Sequence, residues 1–288
     1  MERIIEIEHL NKSFGEVKAV RDLSFNVRRG ELFAFLGVNG AGKSTTISIM
    51  CSCLEKDSGT VKICSMDPAH QWTDISRRMG VVFQFSALDS ALSVRDNLES
   101  RAALYGITGS SFDKRLKELS ELLELDGLLR RPVGKLSGGQ RRRVAIAGVI
   151  VTKPEILVLD EPAAGLDPLG KKEIMRLLHK IHEEWCKTVI IVSHDMDEIS
   201  ENCTRAAVFS DGKVVMEEAP AALFRRGEEL AALGLDVPFT AKITECLARG
   251  GVHIRSDFTA ADFVKRTLEY AGVGAESAAD NAGGQDNA

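Results

Sequence analysis

The chain has 288 residues, of which 44% are hydrophobic and 27% charged, the balance of a folded globular protein rather than a disordered one. Its net charge of −5 and pI near 5.8 give no support to nucleic-acid binding. No apolar run approaches the roughly 18 to 20 residues that cross a bilayer, and the N-terminus lacks the layout of a signal peptide. We therefore expect a chain that does not span a membrane, with scattered cysteines that are reduced thiols.

Short apolar segments in the first part of the chain predict strands. IIEIEHL and LSFNV alternate apolar and polar positions, as half-buried strands do. ELFAFLG, which ends at Gly37, is apolar at nearly every position, a pattern typical of a strand covered on both faces. A glycine-rich turn and a helix-like segment, KSTTISIMCSCL, follow it from Lys43.

Later segments repeat this alternation. EILVLDE (155–161) and TVIIVSH (188–194) are further buried-strand candidates, and KKEIMRLLHKIHEEW between them carries apolar residues at helical spacing. Strands that alternate with helices predict an α/β fold with a largely parallel sheet. RDNLESRAALYG and SFDKRLKELSELLELDGLL read as helices with no strand between them. They predict a helical insertion subdomain over about residues 86–150.

The composition changes near residue 226, after which the chain reads as a small helical extension. Thr259 and Asp262 fit a capping box, which predicts a helix from about Ala260 to Tyr270. The last residues have almost no bulky apolar side chain and predict a disordered tail. The expected division is a core domain, an extension and a tail, over residues 1–225, 226–270 and 271–288.

The turn after ELFAFLG matches the phosphate-binding pattern G-x-x-x-x-G-K-[ST], which we call the P-loop. Its glycines let successive backbone N–H groups point at phosphate oxygens, and the following helix adds the positive end of its dipole. Lys43 places a charge on the β- and γ-phosphates, and Ser44 offers a hydroxyl to Mg²⁺. The pattern predicts a nucleoside triphosphate without choosing ATP over GTP. The candidate binding residues are Gly37, Val38, Asn39, Gly40, Ala41, Gly42, Lys43, Ser44 and Thr45.

Two acids end the apolar strand ILVLDE. Asp160 suits a Mg²⁺ contact, direct or through water, and Glu161 is then placed to orient or deprotonate an attacking water. In open α/β sheets, ligands bind at the carboxyl ends of the strands. A common site is therefore predicted for the residues at four predicted strand ends, which are Gly37, Gln84, Asp160 and His194.

LSGGQ, which precedes the helix-like run RRRVAIAGVIV, is a second candidate anion site. Ser137 is a natural N-cap, and Gly138 and Gly139 expose backbone N–H groups at the helix start. A second phosphate site without a second P-loop makes sense if it completes a nucleotide held by another subunit. An ordinary capped helix is the alternative interpretation.

The ordered set GVNGAGKST, VVFQ, LSGGQRRR, ILVLDEP, AGLDP and VSHD resembles the nucleotide-binding subunit of ATP-binding cassette (ABC) transporters, over about residues 3–225. The resemblance implies a P-loop NTPase of the ABC type that uses ATP and Mg²⁺. It implies a head-to-tail dimer with a second ABC ATPase subunit, in which each ATP lies between the P-loop of one chain and LSGGQ of the other. The helical insertion would dock transmembrane subunits, which puts the chain at the cytoplasmic face of the membrane as a peripheral protein.

The same resemblance implies roles for single residues. Glu161 would be the catalytic carboxylate, His194 the γ-phosphate switch, and Gln84 a sensor of Mg²⁺ and of the membrane partner. The metal ligands would be Ser44, Gln84 and Asp160. From spacing alone Phe14 can either stack on an adenine or pack in the core, and the resemblance favours stacking. Further nucleotide contacts would come from Val20 and, across the dimer, from Ser137, Gly138, Gly139, Gln140 and the D-loop acid Asp167.

The two halves of the chain resemble different ABC ATPases. SGGQRRRVAIAGVIVTKPEILVLDEPAAGLDPLGKKEIM and the extension LGLDVPFTAKITECLARGG are similar to the ATPases of energy-coupling factor uptake transporters, whose extension helps join the two ATPases. GVNGAGKSTTISIM and VVFQFSALDSALSVRDNLESRAALYG look like drug- or antibiotic-export ATPases. We favour uptake, of a vitamin or a metal ion, because the extension has no reason to exist in a simple exporter.

An exporter ATPase is thus the first alternative to uptake. A soluble ABC ATPase without a membrane partner is the second, and the single cassette and the acidic charge disfavour it. A binding module without turnover is the third, and the presence of Glu161 and His194 argues against it. Val38 stands where proline is frequent in the family, and Ala163 stands where threonine or serine is frequent. Neither departure removes a charge or a phosphate donor.

Overall fold

The structure, a computed structural model, describes residues 2–84 and 87–272, so the predicted tail (271–288) lies outside the described residues except for its first two positions. Strands and helices alternate along most of this part. The strands are β1 (Arg3–Phe14), β2 (Val17–Arg28), β3 (Leu32–Leu36), β4 (Ser58–Ile63), β5 (Met79–Val82), β6 (Ile156–Asp160), β7 (Thr188–Val192), β8 (Arg205–Ser210) and β9 (Lys213–Glu218). The helices are α1 (Lys43–Met50), α2 (Pro68–Arg78), α3 (Val94–Ala103), α4 (Gly109–Leu123), α5 (Gly138–Ile150), α6 (Pro168–Glu184), α7 (Met196–Asn202), α8 (Pro220–Leu223), α9 (Gly227–Ala232), α10 (Phe239–Arg249) and α11 (Ala260–Tyr270).

Two sheets organise the chain. The first is antiparallel, in the order β2-β1-β4, and the second has six strands in the order β5-β6-β7-β3-β8-β9. In the second sheet every pairing is parallel except that of β9 with β8. The predicted α/β fold with a largely parallel sheet is therefore confirmed, and the carboxyl ends of β5, β6, β7 and β3 lie along one edge.

Strand β3 shows why its sequence is apolar throughout. All five of its residues are buried, because it lies between β7 and β8 with both faces of the sheet covered. Successive side chains of a strand point to opposite faces. Phe33 and Phe35 accordingly pack with Phe25 and Phe209 on the side of the antiparallel sheet, whereas Leu32 and Leu36 join the cluster on the helical side.

Between β5 and β6 the described residues form helices and no strand, as the sequence predicts. Helix α4 buries Phe112, Leu116, Leu119 and Leu123, whose spacing places them on one face. Helix α5 packs against α3 and lies over β5. No helix in the described ranges has the length and apolar character needed to cross a bilayer.

The extension packs onto the core domain. Its residues Leu230, Leu235, Ala241 and Phe258 belong to the same apolar cluster as the helical side of the large sheet. Helix α11 begins and ends where the sequence predicts, but only half of the predicted capping box forms. The Thr259 hydroxyl accepts from the Asp262 amide at 3.3 Å, whereas the Asp262 carboxylate accepts from the Asp257 amide. The Thr259 amide donates to the Asp257 carboxylate instead, which replaces the expected partner.

Candidate nucleotide-binding and catalytic site

The P-loop lies between the end of β3 and the start of α1, and its backbone requires glycine at two positions. Gly37 has φ +147° and Gly42 has φ +102°, both in the region that favours glycine. A Cβ atom at Gly37 would lie 2.4 Å from the carbonyl oxygen of Phe209, and one at Gly42 would lie 2.7 Å from that of Ala19. Close packing on neighbouring backbone therefore fixes the curl that the sequence pattern predicts.

Lys43, the first residue of α1, points its ammonium into this curl. The Nζ atom donates to the carbonyl oxygens of Gly37 at 2.5 Å and Val38 at 3.0 Å, and the residue is buried. Burial lowers the pKa of the Lys43 ammonium, and the negative charges of Glu161 and Asp160 oppose that shift. The loop thus holds a positive charge among carbonyl oxygens at the point where the pattern expects phosphate.

A cavity of about 690 Å³, which we call the P-loop cavity, brings the predicted strand-end residues together. Gln84 lies two residues beyond the end of β5 rather than at its last position. Among the predicted site residues, those that line the cavity are Gly37, Val38, Asn39, Gly40, Gly42, Lys43, Ser44, Thr45, Gln84, Asp160, Glu161 and His194. Ala41, the remaining residue of the P-loop, is buried and does not line the cavity.

The acids at the end of β6 have different surroundings. Burial, and then the charge of Glu161, raise the pKa of the Asp160 carboxyl, while Lys43 and Arg142 oppose the shift. Ser44, Gln84 and Asp160 offer hydroxyl, amide and carboxylate oxygens, the donor types that Mg²⁺ prefers. The described residues contain no group of three His, Cys, Asp or Glu suited to a metal. A divalent cation here would therefore depend on neutral oxygens and on phosphate for its remaining ligands.

Glu161 and His194 are paired. The Glu161 Oε1 atom lies 2.8 Å from the Nδ1 atom of His194, whose side chain is 73% exposed against 18% for that of Glu161. Glu161 has a left-handed backbone, with φ +50°, which costs about 1–3 kcal/mol in a residue other than glycine. Its amide donates to the carbonyl oxygen of Val192 at the end of β7. The carboxylate is thus held at the cavity by a strained but bonded backbone.

Arg142 is a residue of this site that the sequence reasoning missed. Its Nη2 atom donates to the carbonyl oxygen of Glu161 at 2.9 Å, and its Nη1 atom to that of Phe83 at 3.2 Å. In the sequence Arg142 is one of three consecutive arginines in the helix-like run RRRVAIAGVIV. Helical spacing could have found it, because Arg142, Ile146 and Ile150 are four residues apart and share the buried face of α5.

The LSGGQ residues and Asp167 form a second surface, the signature surface, around a cavity of about 510 Å³. Ser137 caps α5 as predicted. A full capping box forms with Gln140, at 3.2 Å from the Gln140 amide to the Ser137 hydroxyl and 3.1 Å in the reverse pairing. Asp167 caps α6 through the amide of Gly170 at 2.7 Å. A Cβ atom at Gly139 would meet nothing within 4 Å, so the helix start is open at this point.

Phe14 and Val20 lie outside both cavities. Phe14, the last residue of β1, is 50% exposed, and the Nζ atom of Lys12 lies 5.5 Å from its ring centroid. This exposure removes the core-packing alternative for Phe14. Val20 is buried in the core, where its Cγ2 atom would lie 3.7 Å from a Cβ at Gly42. Val20 therefore packs against the backbone of the P-loop at Gly42.

The extension also reaches the P-loop cavity, which nothing in the sequence signalled. Gly234, Leu235 and Asp236 line the cavity, and a Cβ atom at Gly234 would lie 3.3 Å from the Cγ1 atom of Val38.

The extension is also bonded to α7, the helix that follows His194. The Phe239 amide donates to Asp197 at 2.8 Å, and the Ala260 amide donates to Glu201 at 2.5 Å. The starts of α10 and α11 are therefore attached to the segment that carries the predicted switch histidine.

Known proteins match this chain over most of its length. A family model described as ABC transporter matches residues 20–164. The chain is 36% identical to the energy-coupling factor transporter ATP-binding protein EcfA1 of Lacticaseibacillus paracasei over 267 aligned residues. The aligned region covers 90% of this chain and 94% of that protein.

Solved structures agree. The fold resembles that of cbiO1 from Clostridium perfringens, part of the ABC transporter complex cbiONQ, with a TM-score of 0.74 and 32% identity over 85% of this chain and 100% of that one. It also resembles a dimeric structure of the ATP-binding cassette MJ0796 bound to ADP and Pi. The TM-score is 0.67 and the sequence identity 30%, and the match covers 75% of this chain and 98% of that one.

The fold, the P-loop cavity and these matches define an ABC-type ATPase, and the chain belongs to the ABC transporter family. Within that family it belongs with the energy-coupling factor transporter ATP-binding proteins. The resemblance seen in its second half and extension is confirmed, and the exporter alternative is not favoured. The activity of this class is ATP hydrolysis coupled to transport.

Proposed function

We propose that this chain binds Mg²⁺ and ATP in its P-loop cavity and that a second ABC ATPase subunit closes the nucleotide with its own signature surface. The observation that carries the proposal is the separation of the two surfaces. The P-loop cavity holds a lysine, the two acids at the end of β6 and a histidine, whereas the signature surface offers a helix start without a P-loop lysine. Each surface is therefore half of a site that only a head-to-tail pair completes.

In the P-loop cavity the chain's own residues would divide the work. Backbone amides and Lys43 would hold the β- and γ-phosphates. Ser44, Gln84 and Asp160 would hold the metal, and bound Mg²⁺ would neutralise charge on the phosphate oxygens. Glu161 would orient the attacking water and accept its proton, because its carboxylate lines the cavity beside Asp160.

His194 would contact the γ-phosphate. Its ring is exposed at the cavity, and its Nδ1 atom is paired with Glu161, which leaves Nε2 free to face the nucleotide. Because Nδ1 donates to the Glu161 carboxylate, Nε2 carries a proton for a phosphate oxygen only when the ring is an imidazolium. In that form the hydrogen bond from Nε2 would link the nucleotide to the end of β7 and to α7. Phe14 would stack on the adenine with one ring face, since it is half exposed and lies at the end of a strand.

The signature surface would serve the nucleotide of the partner. Ser137, Gly138 and Gly139 begin α5, so the positive end of the helix dipole faces the open cavity. Gln140 is engaged in the capping box, which holds this start rigid. Asp167 lines the same cavity and would contact the second subunit.

The complex that this implies is a peripheral ATPase pair on the cytoplasmic side of transmembrane subunits, driving uptake of a vitamin or a metal ion. The relatives' names support the energy-coupling factor assignment. The extension, residues 226–270, would stabilise the ATPase pair. Its helices leave the apolar side chains of Phe239, Val264 and Tyr270 exposed, and a partner subunit could cover some of them.

The test is Glu161→Gln in the complex purified from membranes in mild detergent. We expect hydrolysis to fall by about 10² to 10⁴-fold, because the proton acceptor is lost, while an ATP-bound dimer accumulates. Mass spectrometry of that trapped complex should find a transmembrane scaffold together with a small substrate-binding membrane protein. Unchanged turnover would contradict the catalytic assignment, and a single permease as the only membrane partner would contradict the uptake assignment.

A further inference from the structure

We infer that Arg142 is a positioning residue for hydrolysis, which holds the backbone at Glu161 and Gln84 in the geometry that the reaction needs. The inference rests on the proposed function of the P-loop cavity. Arg142 does not line that cavity, so it acts through the two residues that do.

The guanidinium bridges the two segments that carry these side chains. It donates to the carbonyl oxygen of Glu161 itself and to that of Phe83, whose carbonyl belongs to the peptide bond that leads into Gln84. The planar, forked donor set of arginine suits this task, because it satisfies two acceptors in a fixed relative position. The bridge thus joins the end of β6 to the segment just after β5.

Both segments lie just beyond the ends of their strands. At Glu161 the amide still donates to Val192 of β7, and the carbonyl oxygen of the same residue is the group that Arg142 holds. Residue 161 has φ +50°, and it follows the last residue of β6. Phe83 and Gln84 follow the last residue of β5. A strained conformation persists only where its surroundings over-determine it, and Arg142 supplies one of the contacts that do so at Glu161.

The chemistry of Arg142 argues against a purely structural role. The residue is buried, its acceptors are neutral carbonyls, and no ion pair with a carboxylate is found in the described part of the chain. Burial lowers the pKa of the guanidinium, opposed by the charges of Asp160 and Glu161. A buried charge is costly to take out of water, and here no carboxylate partner offsets that cost. The charge is explained if the position of the two carbonyls matters.

Arg142 also ties the two half-sites of one chain to a single rigid element. Helix α5 begins with Gly138 in the signature surface, and Arg142 lies one turn further along it. The helix that would meet the partner's nucleotide therefore also holds the backbone of this chain's own catalytic acid.

The experiment compares Arg142→Gln and Arg142→Lys in the complete transporter complex, with Arg176→Gln as the matched control. The Arg176→Gln substitution removes the same charge from the surface of α6, where the side chain of Arg176 is 75% exposed. We expect Arg142→Gln to lower kcat by about 10- to 100-fold, because small displacements of catalytic groups cost rates of that order. The KM for ATP and the ATP-dependent dimerisation should stay within about twofold of the parent complex, since no nucleotide contact is removed.

Arg142→Lys should recover part of the lost kcat, because one ammonium can still reach one of the two carbonyls. It also carries the test if Arg142→Gln lowers the melting temperature too far for assay. A kcat within twofold of the parent for both variants would overturn the inference, as would an equal loss of kcat and of ATP binding. If the parent complex and Arg176→Gln do not hydrolyse ATP, the proposed function fails instead.

Discussion

The P-loop cavity and the signature surface both present the start of a helix to solvent, but only one of them carries the groups for chemistry. At the start of α1 the cavity adds Lys43, and the strand ends add Asp160, Glu161 and His194. At the start of α5 the signature surface adds a capping box and Asp167, and Leu169 beside them is 68% exposed. A chain can therefore contain every hydrolytic group and still leave part of its phosphate contacts to another subunit.

The strongest way to break this comparison is to block the signature surface alone. Gly139→Asp places a carboxylate over the open start of α5, where a Cβ atom meets nothing within 4 Å, so the fold should tolerate it. We expect hydrolysis by a dimer to fall by about 10²-fold, because the charge repels the partner's phosphates and opposes the helix dipole.

ATP binding to a single chain should change by less than about twofold, since the P-loop cavity is untouched. Nucleotide titration of the isolated subunit and turnover of the complex separate the two effects. Gly139→Ala is the control, because it adds the Cβ atom without the charge. Equal loss of single-chain ATP binding and of turnover would mean that the two surfaces do not act separately.

A second way to sharpen the comparison uses pH, because in the P-loop cavity the charge of one acid shifts the pKa of its neighbour. Burial and the charge of Glu161 raise the pKa of Asp160. At a given acidic pH a smaller fraction of Asp160 is therefore ionised than of a free aspartate, and Mg²⁺-dependent ATP binding should weaken sooner as the pH falls.

Glu161→Gln removes one cause of the raised pKa, so its acidic limb should move to lower pH. The titration of ATP itself is common to both proteins, and the difference between their curves belongs to the site. The measurement is the affinity for ATP from about pH 5 to 8, once with saturating Mg²⁺ and once without Mg²⁺. An acidic limb at the same pH in both proteins, or at higher pH in the variant, would contradict the assignment of Asp160.

The smallest expected effect concerns the extension, which touches the P-loop cavity and not the signature surface. Gly234→Val adds strain at φ +74° and presses on Val38, so it should lower stability by about 1–2 kcal/mol and weaken ATP binding severalfold.

Gly251→Val is the matched control, because its φ is +86° and its Cβ atom would meet nothing within 4 Å. Both variants should lose stability in thermal unfolding, while only Gly234→Val weakens ATP binding. An equal loss of ATP affinity in the two variants would show that the contact with Val38 is unimportant.

Local patterns predicted much of the fold because the signals were of short range. Phe33 and Phe35 alternate with Leu32, Ala34 and Leu36 in a strand that is apolar on both faces, and this pattern has few other solutions. The start of the helix at 260–270 was predicted because a threonine N-cap is a local signal. The capping box failed at Asp262 because Asp257, a competing acceptor five residues earlier, cannot be ranked by spacing alone.

The sequence by itself determined the α/β class, the P-loop, the strand-end acids and the family, because each depends on residue types at fixed spacing along the chain. Only the tertiary structure decided that Arg142 clamps Glu161 to Phe83, that Val20 is buried, and that Gly234 packs on Val38. These are contacts between residues that are 19 to 196 positions apart, and they depend on how β5, β6 and the extension come together. No periodicity or local propensity reports such distances, so folding alone brings them into one site.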